Sequence, residues 1–196
     1  MFISSPLLII DMRVKMPYHH QKNCYFCGPT CLKMVLETLG IKKTEDEIAR
    51  IAKTSEKCGT HHQGMIDACK KFGCTCFVHE NANMATVKAF LNAGLPVIID
   101  WTDNKSAVGH YSVLTEVTAK NVFFCDPWYG PRHEVNKKVF EEFWNDRLTK
   151  GNRWIMAILP KTAKIAQEIN LSVNGANVLI RSGRIYQPIQ RSISSE

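Results

Sequence analysis

A chain of 196 residues, 45% apolar and 22% charged, carries enough hydrophobic material for one domain with a real core, and it holds no run of 18 apolar residues that would cross a membrane. Its formal charge of +7 comes from 25 Lys and Arg spread along the sequence and not gathered in a block, which argues against a nucleic-acid partner. Eight cysteines would suit a disulfide framework, but Met1 to Ile10 has no basic residue ahead of its apolar run, Pro6 breaks it and Asp11 ends it without a cleavage site; the pattern predicts a cytoplasmic protein with free thiols.

Taken in order, Met1 to Ile10 predicts a strand, followed by a loop at Pro17-Tyr18-His19-His20. Next comes Gln21-Lys22-Asn23-Cys24-Tyr25-Phe26-Cys27-Gly28-Pro29-Thr30-Cys31, leading into apolar residues at helical spacing (Cys31, Leu32, Met34, Val35, Leu36, Leu39) and closed by Gly40. Pro29 suits a first turn. Cys27 therefore sits at a helix N-terminus, where unpaired N–H groups and the positive end of the dipole favour a thiolate.

Thr44-Glu45-Asp46-Glu47 reads as a capping box opening a second helix through Ile48, Ile51 and Ala52. A third is predicted from Thr60 as cap, with Gln63 completing the box, to a stop at Gly73. A short strand over Cys74 to Val78 and a helix from Met84 to Asn92 follow. The pattern then turns to β: Leu95 to Trp101, His110 to Val117 and Asn121 to Cys125, the last two joined by Thr118-Ala119-Lys120. A helix from Val139 to Trp144 and a strand from Trp154 to Leu159 complete an α+β arrangement, with the helical N-terminal part, including the cysteine helix, packed on a C-terminal antiparallel sheet. Pro160 marks a boundary between a domain over 1–160 and an extension over 161–196. Asn174-Gly175 signals a hairpin between Asn170–Val173 and Asn177–Ile180, and Ser192 to Glu196 reads as a frayed end.

Nucleophilic catalysis by a thiol needs a base, a group to orient the base and donors for the oxyanion. His110 opens one strand and Asp126 ends the next, so antiparallel pairing would bring imidazole and carboxylate together. Gln21, six residues before Cys27, carries an amide donor. Against this stand plainer readings: a buried apolar Cys27, a core His110 and a turn-starting Asp126-Pro127. Cys24, Cys27 and Cys31 with His61-His62 or Cys74 and Cys76 suggest zinc or iron–sulfur ligands, but the usual second C-x2-C pair is missing, and no metal or cofactor is expected. Cys24 also suits a resolving thiol for Cys27. Cys58, Cys69 and Cys125 read as buried and inert, and His61-His62 as a solvated helix start.

The order Gln21, Cys27-Gly28, His110-Tyr111 and Asp126-Pro127, the last sixteen residues after His110, resembles the bacteriocin-processing cysteine peptidases, a papain-like family that cleaves leader peptides after a Gly-Gly pair. The resemblance covers about residues 15–160 and includes Gly59-Thr60 and Gly94-Leu95-Pro96. It implies Cys27 as nucleophile, His110 as general base and acid, Asp126 as its orienting partner, and Gln21 with the Cys27 N–H as oxyanion hole, acting on a peptide or protein substrate. Phe26 stands where many members have an acidic residue, and Pro29-Thr30 is closer to free-standing members. A thiol acyltransferase or amidase on the same fold, a Cys/His metal-binding protein and an inactive peptide-binding module are the alternatives.

Overall fold

The computed structural model describes residues 14–144, 153–159, 169–173, 176–181 and 184–186. The elements run α1 (Cys27–Thr38), α2 (Glu45–Ala52), α3 (His62–Lys71), β1 (Thr75–His79), α4 (Met84–Asn92), β2 (Val97–Thr102), β3 (Gly109–Val117), β4 (Asn121–Asp126), β5 (Gly130–Asn136), α5 (Lys137–Phe143), β6 (Ile155–Leu159), β7 (Ile169–Val173), β8 (Ala176–Arg181) and β9 (Arg184–Tyr186). β1 to β6 form one antiparallel sheet in the order β1-β6-β2-β3-β4-β5.

Because side chains alternate across a strand, this sheet presents two apolar faces. One carries Ile98, Val113, Met156 and Ile158 and packs against Leu32, Val35, Ile48 and Met65 from α1, α2 and α3. The opposite one carries Ile99, Trp101, Leu114, Phe124 and Ala157 and packs against Val87, Phe90 and Phe140 from α4 and α5. The helices therefore cover both faces, with the cysteine helix α1 packed on the antiparallel sheet as the sequence pattern predicts. The chain has the α+β, papain-like architecture.

Close helix packing fixes two glycines. A Cβ on Gly64 of α3 would lie 2.1 Å from the Ala52 carbonyl oxygen at the end of α2, and one on Gly28 would lie 2.9 Å from Thr60 Cβ. The second contact seats the N-terminus of α1 directly against the approach to α3.

Several local expectations need correction. Thr60 does not cap α3: its hydroxyl is engaged with Thr54 Oγ1 at 2.8 Å, His61 occupies the cap position without a side-chain bond, and Gln63 donates to Asp67 at 2.7 Å. Thr44 caps α2 by accepting from Glu47 N at 3.1 Å, while the Glu47 carboxylate takes Lys43. Cys58 is exposed in the turn between Ser55 and Gly59, whereas Cys69 and Cys125 are buried. His62 is not a solvated helix start: its Nε2 meets Asp100 Oδ2 at 2.6 Å and its ring stacks on Trp154 at 4.2 Å. β5 escaped the sequence reading because Gly130-Pro131-Arg132-His133-Glu134 lacks apolar alternation; as an edge strand it tolerates Pro131. β7 and β8 pair antiparallel with Val173 opposite Ala176, and β9 adds a third strand that the sequence reading did not include. Val178 of β8 is buried in the same core cluster as the α4 and α5 side chains. The predicted strand at 1–10, the turn at 174–175 and the tail at 192–196 lie outside the described residues.

Candidate active site

Cys27 is the first residue of α1, whose N-terminus has no side-chain cap, and it is 7% exposed. The helix forms here because Pro29 fits the first turn and Cys31, Leu32, Val35 and Leu36 bury one face. Pro29 has no N–H and that of Thr30 bonds the Phe26 carbonyl, so the Cys27 and Gly28 N–H groups are the ones without an intrahelical acceptor that can favour negative charge at this end. Cys31, one turn on, is fully buried; its thiol donates to the Tyr111 carbonyl at 3.2 Å, which ties α1 to β3.

His110 and Asp126 come together through the β3–β4 pairing, in which Val113 lies opposite Cys125. The His110 Nε2 is 3.1 and 3.2 Å from the two Asp126 oxygens. This leaves the other ring nitrogen unclaimed by Asp126, and Cys27 lies close enough to act on the charge of the imidazole. Burial works against a proton on this ring. It is outweighed by the hydrogen bonds and charges of Asp126 and Cys27, which carry the imidazole pKa up to about 10.

Asp126 is fully buried, and burial alone would raise its pKa. The His110 N–H, with the Ser112 hydroxyl at 2.6 Å, holds the carboxyl well below the usual carboxylate range. Its Oδ1 also accepts from the backbone N–H groups of Trp128 and Tyr129, both at 2.8 Å. His133 Nδ1 stands 3.8 Å from Oδ2, beyond hydrogen-bonding distance. Ser112 is in turn held by Trp101 Nε1, which donates to its oxygen at 2.8 Å.

Gln21 is 2% exposed. Its backbone N–H donates to the Pro127 carbonyl at 2.9 Å, which fastens the loop before Cys27 to the end of β4. Its Nε2 donates to the Asn23 carbonyl at 2.7 Å, and since an amide carries two N–H groups one donor remains. Gln21 and His110 line a common cavity of about 230 Å³. Cys24, exposed, lines it too, while Cys31 faces the core, so the three N-terminal cysteines do not converge; among the described residues no group of three or more His, Cys, Asp or Glu is placed to hold a metal ion.

The sequence reading missed Ser112, Trp101 and the Trp128 and Tyr129 amides as supports of the carboxylate. A signal for Ser112 existed: it is two residues after His110 in a strand, hence on the same face. The backbone amides leave no sequence signature.

The model of the Peptidase C39 family matches residues 15–149. The chain belongs to the Peptidase C39 family. Within the matched residues lie α1, the β3–β4 pair and the candidate site residues Gln21, Cys27, His110, Ser112 and Asp126. A curated relative, an uncharacterized protein from Methanothermobacter thermautotrophicus, is 32% identical over 127 residues, 63% of this chain and 80% of the relative. Another, from Methanothermobacter marburgensis, is 30% identical over 131 residues. In fold the C39 domain is similar to the peptidase domain of Streptococcus ComA, a bifunctional ABC transporter of a quorum-sensing pathway (TM-score 0.61, 22% identity, 75% of this chain and 98% of that one). It is also similar to a double-glycine-motif protease from an AMS/PCAT transporter, solved with its leader peptide (TM-score 0.60, 20% identity, 76% of this chain and 94% of that one). A third neighbour is a C39-like peptidase from Bacillus anthracis (TM-score 0.57, 18% identity).

Proposed function

We propose that the chain is a cysteine peptidase that cleaves a peptide through an acyl-enzyme on Cys27, with His110, Asp126 and Gln21 as its partners. The observation that carries this reading is the His110 ring held 3.1 Å from the buried Asp126 carboxylate, with Cys27 at the adjoining helix N-terminus near enough to favour a proton on the ring. Such a ring stays protonated at neutral pH, and a cation of this kind beside a sulfur favours the thiolate, which is the nucleophilic form.

In the first half-reaction the Cys27 sulfur attacks the carbonyl carbon before the scissile bond. The oxyanion is met by the Cys27 N–H at the open helix end and the second N–H of Gln21. His110 passes its proton to the leaving nitrogen, the C–N bond breaks and a thioester remains. Water then gives a proton to His110 and its oxygen to the thioester carbon, and Cys27 leaves as thiolate. Asp126 keeps Nε2 as the protonated nitrogen throughout and balances the imidazolium charge.

Cleavage after a Gly-Gly pair is the preferred specificity. It rests on family membership and on the likeness to the double-glycine-motif protease. The test is turnover of leader-type peptides ending in Gly-Gly, followed by mass spectrometry. Hydrolysis after the second Gly, with a Cys27-linked acyl intermediate trapped at low pH, is expected. No cleavage of any such peptide, or cleavage that survives Cys27→Ala, would end this reading.

A further inference from the structure

Among the described residues, the large apolar side chains that stand exposed are Val108, 62% exposed, and Trp128, 47% exposed. Both line the same cavity of about 230 Å³, and that cavity also touches His110 and Gln21. Exposed apolar surface gathered at one cleft marks a binding surface more often than it marks chance.

Neither side chain is on a loose segment. Val108 ends the β2–β3 loop, whose backbone folds around Asp103: Asp103 N donates to the Val108 carbonyl at 2.9 Å and Ala107 N to the Asp103 carbonyl at 2.8 Å. The Asp103 carboxylate, 2% exposed as a residue, accepts from Ser106 N at 2.9 Å, Ser106 Oγ at 2.6 Å and Tyr129 Oη at 2.8 Å. Trp128 is fixed from the other side, its N–H on Asp126 and its ring 5.4 Å from His20. The carboxylate that orients His110 thus also sets the position of Trp128.

Which part of a substrate enters here follows from the chemistry. His110 must protonate the leaving nitrogen, so the residue that carries that nitrogen lies beside the imidazole. The cavity abuts His110 and Gln21 and draws no lining residue from α2 or α3. Resting on the peptidase reading above, we infer that Val108 and Trp128 form a rigid apolar clamp for the first residue after the scissile bond, which makes the enzyme selective for a peptide whose released part begins with an aliphatic or aromatic residue.

The test uses N-acetylated peptides identical up to Gly-Gly and followed by Leu, Phe, Ser or Asp, with kcat/KM measured for each. The clamp predicts at least a 10-fold preference for Leu and Phe over Asp in the wild type. Val108→Lys, at an exposed position, should shrink or invert the Leu-to-Asp ratio. Equal cleavage of all four peptides, or a ratio unchanged in Val108→Lys, would overturn the clamp and leave the peptidase reading intact. If no peptide is cleaved, the peptidase reading fails, and binding of the same peptides to Cys27→Ala protein, followed by tryptophan fluorescence, decides the clamp: tighter binding of the Leu and Phe peptides that is lost in Val108→Lys supports it, and equal binding overturns it.

Discussion

Replacing Asp126 by alanine removes the acceptor for four donors at once: His110 Nε2, the Ser112 hydroxyl and the backbone N–H groups of Trp128 and Tyr129. The last two lie at the cleft, beside the exposed Trp128 ring, and regain water. Ser112 is fully buried and the His110 side chain is only 12% exposed, so both are stranded. At about 1–3 kcal/mol per stranded donor, and about 3–5 kcal/mol for removing one partner of a buried charged pair, the loss should be roughly 3–5 kcal/mol. For a chain of this size that is a fall in Tm on the order of 6–20 °C. Chemistry should fail with it. Without the carboxylate, the burial that disfavours a proton on the His110 ring is opposed by Cys27 alone, and the ring gives up its proton at lower pH than in wild type. Alkylation of Cys27 at pH 6 should drop at least about 10-fold, and turnover roughly 10⁴-fold, as when a triad carboxylate is lost elsewhere. Urea denaturation followed by tryptophan fluorescence and timed iodoacetamide labelling measure the two effects. A variant within about 1 kcal/mol of wild type, or one labelled at Cys27 as fast as wild type at pH 6, would refute the reasoning.

Gln21→Ala separates stabilising the oxyanion from making the thiolate: turnover is expected to fall about 10²–10³-fold while Cys27 alkylation stays at the wild-type rate, and an equal fall in both would make Gln21 a support of the helix end instead. The pH dependence of stability follows from the two shifts. The raised His110 pKa gives a contribution complete below its ordinary value of 6.5 and lost as pH climbs toward about 10, while the lowered Asp126 pKa gives one present above its ordinary 3.8 and lost on acidification. The Tm advantage of wild type over His110→Gln should therefore be largest between about pH 4 and 6.5 and shrink steadily toward pH 10; a difference flat across that range would contradict the ion pair. Gly64→Ala pushes a methyl group against the Ala52 carbonyl and should cost about 3 kcal/mol in denaturant unfolding, and a neutral result would mean that α2 and α3 are not packed as described.

The helix N-terminus at Cys27, the two central strands and the closeness of His110 to Asp126 were legible in the sequence, since each rests on local signals: Gly-Pro after a cysteine, β-branched runs, and a connection short enough to force antiparallel neighbours. What stayed hidden depends on contacts between distant segments. Thr60 looks like a cap in sequence, but in the fold it lies against Gly28 and its hydroxyl bonds Thr54. His62 looks like a solvated helix start, and only the fold brings Asp100 and Trp154 to it. α4 and α5 lie on the far side of the sheet, packed through Phe90 and Phe140, and β6 pairs between β1 and β2. That order has no sequence signature.

The central claim is that His110 and Asp126 keep Cys27 reactive when ordinary thiols are not. The most direct measurement is iodoacetamide labelling of the native protein at pH 6, with every cysteine quantified by mass spectrometry. Cys24 and Cys58 are exposed and Cys27 is only 7% exposed, so accessibility alone favours the other two. The account predicts that Cys27 is labelled first, and that His110→Gln abolishes this order. Labelling of Cys24 or Cys58 ahead of Cys27 at pH 6, with Cys27 reacting only as pH passes the ordinary thiol range, would contradict it.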